Sequence, residues 1–229
     1  MGQDAREDYR QFHAQRHQML LEVLERHVPA KVARCLDIGS GGDVSNAAGT
    51  LRQRFAEEIY ALDLGEDVAR DQAHGVYARA FDVDKGQLPY SNLYFDLVLF
   101  ASVIEHLYNP HMVLSEITRV LRPGGILLLE APNAVALGRR LDALAGHNPF
   151  RWFNQYNAPQ DKVLMEYCSV FYTVEEIESA LGPRFTVVER RYGMHSPPVN
   201  VVKRLLRSAA YRVNPRLADW FLVVARRIE

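Results

Sequence analysis

The chain is predicted to form an α/β fold built on an open, doubly wound, mostly parallel sheet, and three observations carry that prediction. A short apolar strand runs into the glycine turn Gly39-Ser40-Gly41. Strands and helices then alternate as far as Asn133. The same rhythm resumes at Thr173 after a long non-repetitive segment. Such alternation implies parallel strands joined by right-handed crossovers. With 229 residues the chain can bury the core of one domain of this type.

The elements follow in order. Residues 8 to 28 read as an amphipathic helix, with Tyr9, Phe12, Met19, Leu20, Val23 and Leu24 at three- and four-residue spacing. A strand at 34–38 contains Cys35, expected as a small buried thiol, and Asp37. Asp43 is the expected N-cap of a helix over 43–55. Strands are expected at 58–62, 76–81, 95–100 and 125–130, with helices at 66–73, 103–107 and 110–121. Residues 134–170 show no clear strand but hold an aromatic cluster, Phe150, Trp152, Phe153, Tyr156 and Tyr167. Thr173-Val174-Glu175-Glu176 is a capping box opening a helix to about Leu181. A strand at 185–190, a basic amphipathic helix at 201–212 and a strand from Trp220 complete the series.

The first two strands define a nucleoside site. Glycines at 39 and 41 let the backbone turn tightly and a ligand approach without Cβ interference. Twenty-two residues after Gly41, the strand Ile59-Tyr60-Ala61-Leu62 ends in Asp63, placed to accept hydrogen bonds from ribose hydroxyls. A dinucleotide fingerprint would continue to a third glycine, but Val44 stands there. Asp43 would also place negative charge where a pyrophosphate should sit. NAD, FAD and ATP are therefore disfavoured. An adenosine that carries a sulfonium and an ammonium suits Asp37 and Asp43.

Val32 to Asp43 resembles motif I of the class I S-adenosylmethionine-dependent methyltransferases, with Asp43 in place of their usual third glycine. Phe81-Asp82-Val83 resembles the end of their third strand, whose acidic residue receives the adenine amino group. Residues 94–107, ending Glu105-His106-Leu107, are similar to their strand-4 motif, and Leu121-Arg122-Pro123-Gly124-Gly125 to the turn before strand 5. The resemblance covers roughly residues 30 to 133 and implies a Rossmann-like fold of seven strands, the last antiparallel, binding S-adenosyl-L-methionine. It assigns Asp37, Gly39, Ser40, Gly41, Asp63, Leu64, Asp82, Val83, Ala101 and Ser102 to the cofactor pocket. It also implies a single methyltransferase domain over 1–229, with residues 1–30 as a lid helix and 134–170 as a substrate-pocket insertion. Tyr9, His13 or Arg16 of the leading helix would touch the cofactor, or the helix simply covers one edge of the sheet.

Methyl transfer from a sulfonium rests mostly on proximity and orientation, but a hydroxyl acceptor usually needs a general base. His106, just past strand 4, is the candidate catalytic base, since its ordinary pKa near 6.5 suits that task. The alternative is a histidine that shapes the pocket. Glu105 beside it would orient a residue of the leading helix, and His147 and Tyr156 are weaker candidates for the base. The aromatic cluster of 134–170 is either a substrate lid or a satellite core.

The expected function is methyl transfer to a small-molecule acceptor, a hydroxyl on a sugar, quinone, lipid precursor or secondary metabolite. The alternatives are a binding protein without catalysis and, less well supported, an NAD-dependent oxidoreductase. The DNA adenine tetrapeptide and the Pro-Cys nucleophile are absent. A net charge of −1 provides no field for polyanions, so nucleic acid is not an expected partner. No His/Cys/Asp cluster has metal-ligand spacing. The first six residues lack an apolar export core, no apolar run is long enough to span a membrane, and a cytoplasmic protein is expected. Helix 201–212 either meets a membrane or an anionic substrate, or packs its apolar stripe inward and leaves its basic face solvated, as apolar stripes normally do.

Overall fold

The structure is a computed structural model that describes residues 16–40, 54–65, 67–150, 170–194 and 201–229. Seven strands form one sheet: β1 Val32–Ile38, β2 Ala56–Asp63, β3 Tyr77–Ala80, β4 Phe95–Ala101, β5 Leu121–Pro132, β6 Phe185–Gly193 and β7 Trp220–Arg227. Their order is β3-β2-β1-β4-β5-β7-β6. β1 pairs parallel with β2 and β4, and β7 runs antiparallel to both its neighbours. Strand order therefore reverses between β1 and β4, the topological switch point where open sheets bind ligands outside the carboxyl ends of their strands.

Both faces of the sheet are covered, and alternation along each strand decides which residue serves which face. Leu36, Ile38, Leu127, Leu129, Phe221 and Val223 face helices α3, Pro110–Val120, and α5, Val174–Leu181. Cys35, Leu97, Leu99, Leu128 and Val224 face helix α1, residues 16–27, through Val23 and Leu24. Each of these side chains stabilises the fold by about 1.5–3 kcal/mol on burial. Cys35 is fully buried, as expected of a small core thiol.

Local signals set several boundaries. Asn109 accepts the amide of Met112 at 3.3 Å, and Pro110 occupies the first turn of α3. Thr173 and Glu176 exchange side chain-to-backbone bonds of 3.2 and 2.7 Å, so the expected capping box opens α5. The short helix α2, Asp67–Ala73, lies between β2 and β3.

Four expectations need correcting or limiting. The 103–107 helix is a single 3₁₀ turn, Ile104–His106. β5 starts four residues before the expected 125, because Leu121 already pairs with Phe95 before the chain bulges and resumes at Ile126 opposite Leu97. The 134–170 segment contains helix α4, Leu137–Leu144. In helix α6, Val201–Val213, Leu205 and Leu206 turn outward: they are 63% and 66% exposed, whereas Tyr211 is buried. Arg207 faces inward to meet both carboxylate oxygens of Asp219 at 2.6 and 2.7 Å. Gly41, Asp43, most of the expected 43–55 helix and Trp152, Phe153, Tyr156 and Tyr167 lie outside the described residues.

A candidate ligand site at the carboxyl ends of the strands

Register builds the site. Ile38 pairs with Leu62 and Phe100, so Gly39, the next residue, emerges between Asp63 and Ala101. Gly39 has φ +71°, and a Cβ there would lie 2.3 Å from Val103 Cγ2. Only glycine fits a backbone that must adopt this conformation against Val103. The Gly39 amide donates to the Leu62 carbonyl at 2.7 Å, tying the turn to β2. Ser40 follows, buried, and its hydroxyl donates to the buried Asp71 of α2 at 2.6 Å. The predicted pocket residue Ser40 thus also anchors α2 beneath the turn.

Three predicted carboxylates lie on adjacent strand ends. Asp37 is half-buried in β1, two residues before the turn. Asp63 closes β2, half-buried, and accepts the amide of Leu64 at 2.6 Å, while Leu64 is half exposed. Asp63 pairs with Ala80, and the Phe81 amide bonds the Asp63 carbonyl at 2.8 Å, which brings Asp82 alongside. Asp82 caps a short turn by accepting the Asp84 amide at 3.1 Å and pairs with Lys85 at 3.1 Å. Val83, predicted beside the ligand, is buried within the hydrophobic core under this turn.

A second group sits at the ends of β4 and β5. Ala101 pairs with Glu130, and Ser102 follows with φ +55°, uncommon for a residue with a side chain. That backbone directs the Ser102 hydroxyl to the buried Glu130 carboxylate at 2.8 Å. Arg16 of α1 donates to Ser102 Oγ at 2.7 Å and forms an ion pair with Glu130. Next to them Glu105 is buried, and its Oε2 has no hydrogen-bond partner. Burial, with the charge of Glu130 adding to it, pushes the Glu105 carboxyl up to about 8, only partly offset by Arg16 and Arg139. His106 is one-third exposed, 4.0 Å from Glu105 Oε1.

The structure therefore gathers Arg16, Ser102, Glu105, His106 and Glu130 at one strand end. His147 is exposed on the turn after α4, its amide on the Asp142 carbonyl at 2.9 Å. Two residues escaped sequence reasoning. Glu130 was legible as an acidic residue that follows the apolar run Ile126-Leu127-Leu128-Leu129, as Asp63 follows its own strand. Arg139, buried on α4, donates to the Asn133 carbonyl and covers the Phe171 ring at 4.4 Å, for which no sequence signal exists.

Residues 36–129, which include the ends of β1, β2 and β4, match the model of a methyltransferase domain family. Residues 36–129 carry a methyltransferase domain. A probable S-adenosylmethionine-dependent methyltransferase of Mycolicibacterium smegmatis is 34% identical over 139 residues, 55% of this chain and 51% of that protein. A ubiquinone biosynthesis O-methyltransferase of Agrobacterium fabrum is 27% identical over 145 residues, 60% of this chain and 56% of that protein. The chain spans about half the length of the curated relatives it matches. The fold of the methyltransferase domain is shared by the N-methyltransferase NodS of Bradyrhizobium japonicum, solved with S-adenosyl-L-homocysteine. The two superpose with a TM-score of 0.59 at 17% identity, over 95% of this chain and 88% of NodS. It is shared too by a putative methyltransferase of Haloferax volcanii in complex with the Trm112 activator, TM-score 0.65 at 17% identity, over 99% and 96% of the chains.

Proposed function

We propose that the protein transfers a methyl group from S-adenosyl-L-methionine to the hydroxyl of a small-molecule acceptor. The observation that carries this reading is the set of three carboxylates, Asp37, Asp63 and Asp82, at adjacent strand ends around the Gly39 turn. This donor set fits the cofactor: carboxylates suit ribose hydroxyls, an amino group and an ammonium, and Gly39 leaves room for a ligand against the backbone. Asp63 would hold the ribose, Asp82 the adenine amino group and Asp37 the ammonium, with Leu64, Ala101 and Ser102 on the walls and Val83 supporting the floor. When bound, the sulfonium supplies an electrophilic methyl group and its own leaving group.

The protein's part is then to hold the acceptor in line and take its proton. His106 is the base in this reading, at the end of β4 with part of its ring open to solvent. Glu105, kept neutral across most of the physiological range by its burial, adds no negative charge beside the imidazole at neutral pH. The hydroxyl preference is supported by the similarity to the Agrobacterium O-methyltransferase, and a small acceptor by the absence of an attracting field for polyanions.

The test is transfer of labelled methyl from S-adenosylmethionine to a panel of soluble catechols and glycosides. The wild type should label an acceptor. His106→Ala should lose about 10²–10⁴ in turnover while cofactor affinity by calorimetry is unchanged. Retention of more than about a tenth of the activity would make His106 a pocket-shaping residue. Cofactor binding with no transfer to any acceptor would favour the binding protein.

A further inference from the structure

We propose that α6 docks the protein onto an anionic lipid bilayer, with the carboxyl ends of the strands facing the membrane. The helix presents an apolar stripe to solvent at three- and four-residue spacing. Leu205, Leu206 and Val213 are 63%, 66% and 88% exposed, and Ala209 lies exposed between them. An amphipathic helix on a globular domain normally buries that stripe. Here the inward side is Arg207 and Tyr211, fastened to Asp219. The outward stripe is thus fixed by a bidentate ion pair and is a built feature of the surface.

Charge identifies the occupant. Residues 201–216 contain Lys203, Arg204, Arg207, Arg212 and Arg216 and no aspartate or glutamate. Arg207 is neutralised by Asp219 and Arg216 by Glu175 at 2.8 Å, while Arg212 is exposed at the margin of the apolar stripe. A second copy would set like-charged helices against each other. Anionic headgroups would neutralise Arg212 while the leucines enter the acyl boundary. Among the described residues no helix is long and apolar enough to cross a membrane, and α6 has 13 residues, so it would lie in the interface plane.

Topology aims the docked molecule. The segment after α6 enters β7 at Trp220, beside Pro132, the last residue of β5. Asn133 binds the carbonyls of Arg216 and Ala218, both at 2.8 Å. The stripe therefore stands at the end of the sheet where His106 and Glu130 lie. A cavity of about 500 Å³, lined by Met19, Tyr192, Met194, Tyr211 and Trp220, opens beside α6 at that same end. Binding at this surface does not depend on methyl transfer.

Co-sedimentation with vesicles tests the proposal, using phosphatidylcholine alone and its equimolar mixture with phosphatidylglycerol. The wild type should pellet with the anionic vesicles, be released by high salt and bind the neutral ones far less. Leu205→Glu/Leu206→Glu should lose about tenfold or more, and Arg212→Gln about fivefold. Val213→Glu provides a single exposed change should the double variant melt early. Wild type that stays in the supernatant with anionic vesicles overturns the proposal, as does equal binding by wild type and the glutamate variants. Conversion of a dimer to a monomer by those variants would instead assign the stripe to a second copy, and also overturns it.

Discussion

Asp63 closes β2 and Glu105 follows the end of β4, and the two carboxylates differ in their burial. Asp63 is half open beside the exposed Leu64. A charged oxygen there gains about 1.5–3 kcal/mol from each hydrogen bond it accepts from a ligand. Asp63→Ala should weaken S-adenosylmethionine binding roughly ten- to hundredfold by calorimetry with the melting temperature little changed. Glu105 is sealed beside Glu130, and its pKa is raised to about 8 from the ordinary 4.5. A raised carboxyl pKa means that the native state binds more protons than the unfolded one. Stability then falls as pH climbs from about 4.5 to about 8, by up to about 1.4 kcal/mol per unit. Denaturant midpoints of Glu105→Gln should lose that slope and exceed wild type at pH 9; parallel profiles for the two proteins would exclude Glu105 as its source. The position of Asp63 at the end of β2 was legible because an acidic residue closing a strand is a local pattern. The state of Glu105 was not, since it depends on a helix 89 residues earlier and a strand end 25 residues later.

At the scale of elements, the same division between local and distant causes recurs. The capping box of α5 was legible because Thr173 and Glu176 satisfy each other within one turn. The orientation of α6 was not, because its inward face is chosen by Asp219, which lies beyond the helix. Helix α1 is an intermediate case. Its apolar spacing was readable, but its docking depends on Arg16 reaching Ser102 and the buried Glu130. Removing one partner of such a pair leaves an uncompensated buried charge, at a cost of about 3–5 kcal/mol. Arg16→Met should therefore release α1, with hydrogen exchange over 16–27 accelerating while the sheet strands stay protected. Unchanged protection would show that Val23 and Leu24 alone hold the helix. Glu130→Gln in the same background should restore part of the protection, since a neutral amide tolerates burial better.

For the whole molecule, the alternation of apolar strands with helices was enough to read β1 to β5, because each strand is followed locally by its crossover. The insertion of β7 between β5 and β6 leaves no trace in that rhythm and entered only through family resemblance. Ligand linkage gives the corresponding global test. S-adenosylhomocysteine at about a hundredfold its Kd should add about 2.7 kcal/mol and raise the melting temperature by roughly 5–11 °C. NADH at equal concentration should leave it unmoved, and a shift of similar size with NADH would revive the dinucleotide reading.

The order of strands in the sheet differs from their order of synthesis, and that has a temporal consequence. β6 has β7 as its one neighbour, yet β7 follows it in the chain. On the ribosome, β6 must wait without a strand partner until residues 220–227 emerge. Gly39, Asp63, Asp82 and His106 are all translated before residue 107. Residues 107–229 take on the order of ten seconds to make. During that interval the nucleoside could find its strand ends on a nascent chain whose sheet is unfinished. Cofactor bound then would favour the ordered first half while the second half is still being made.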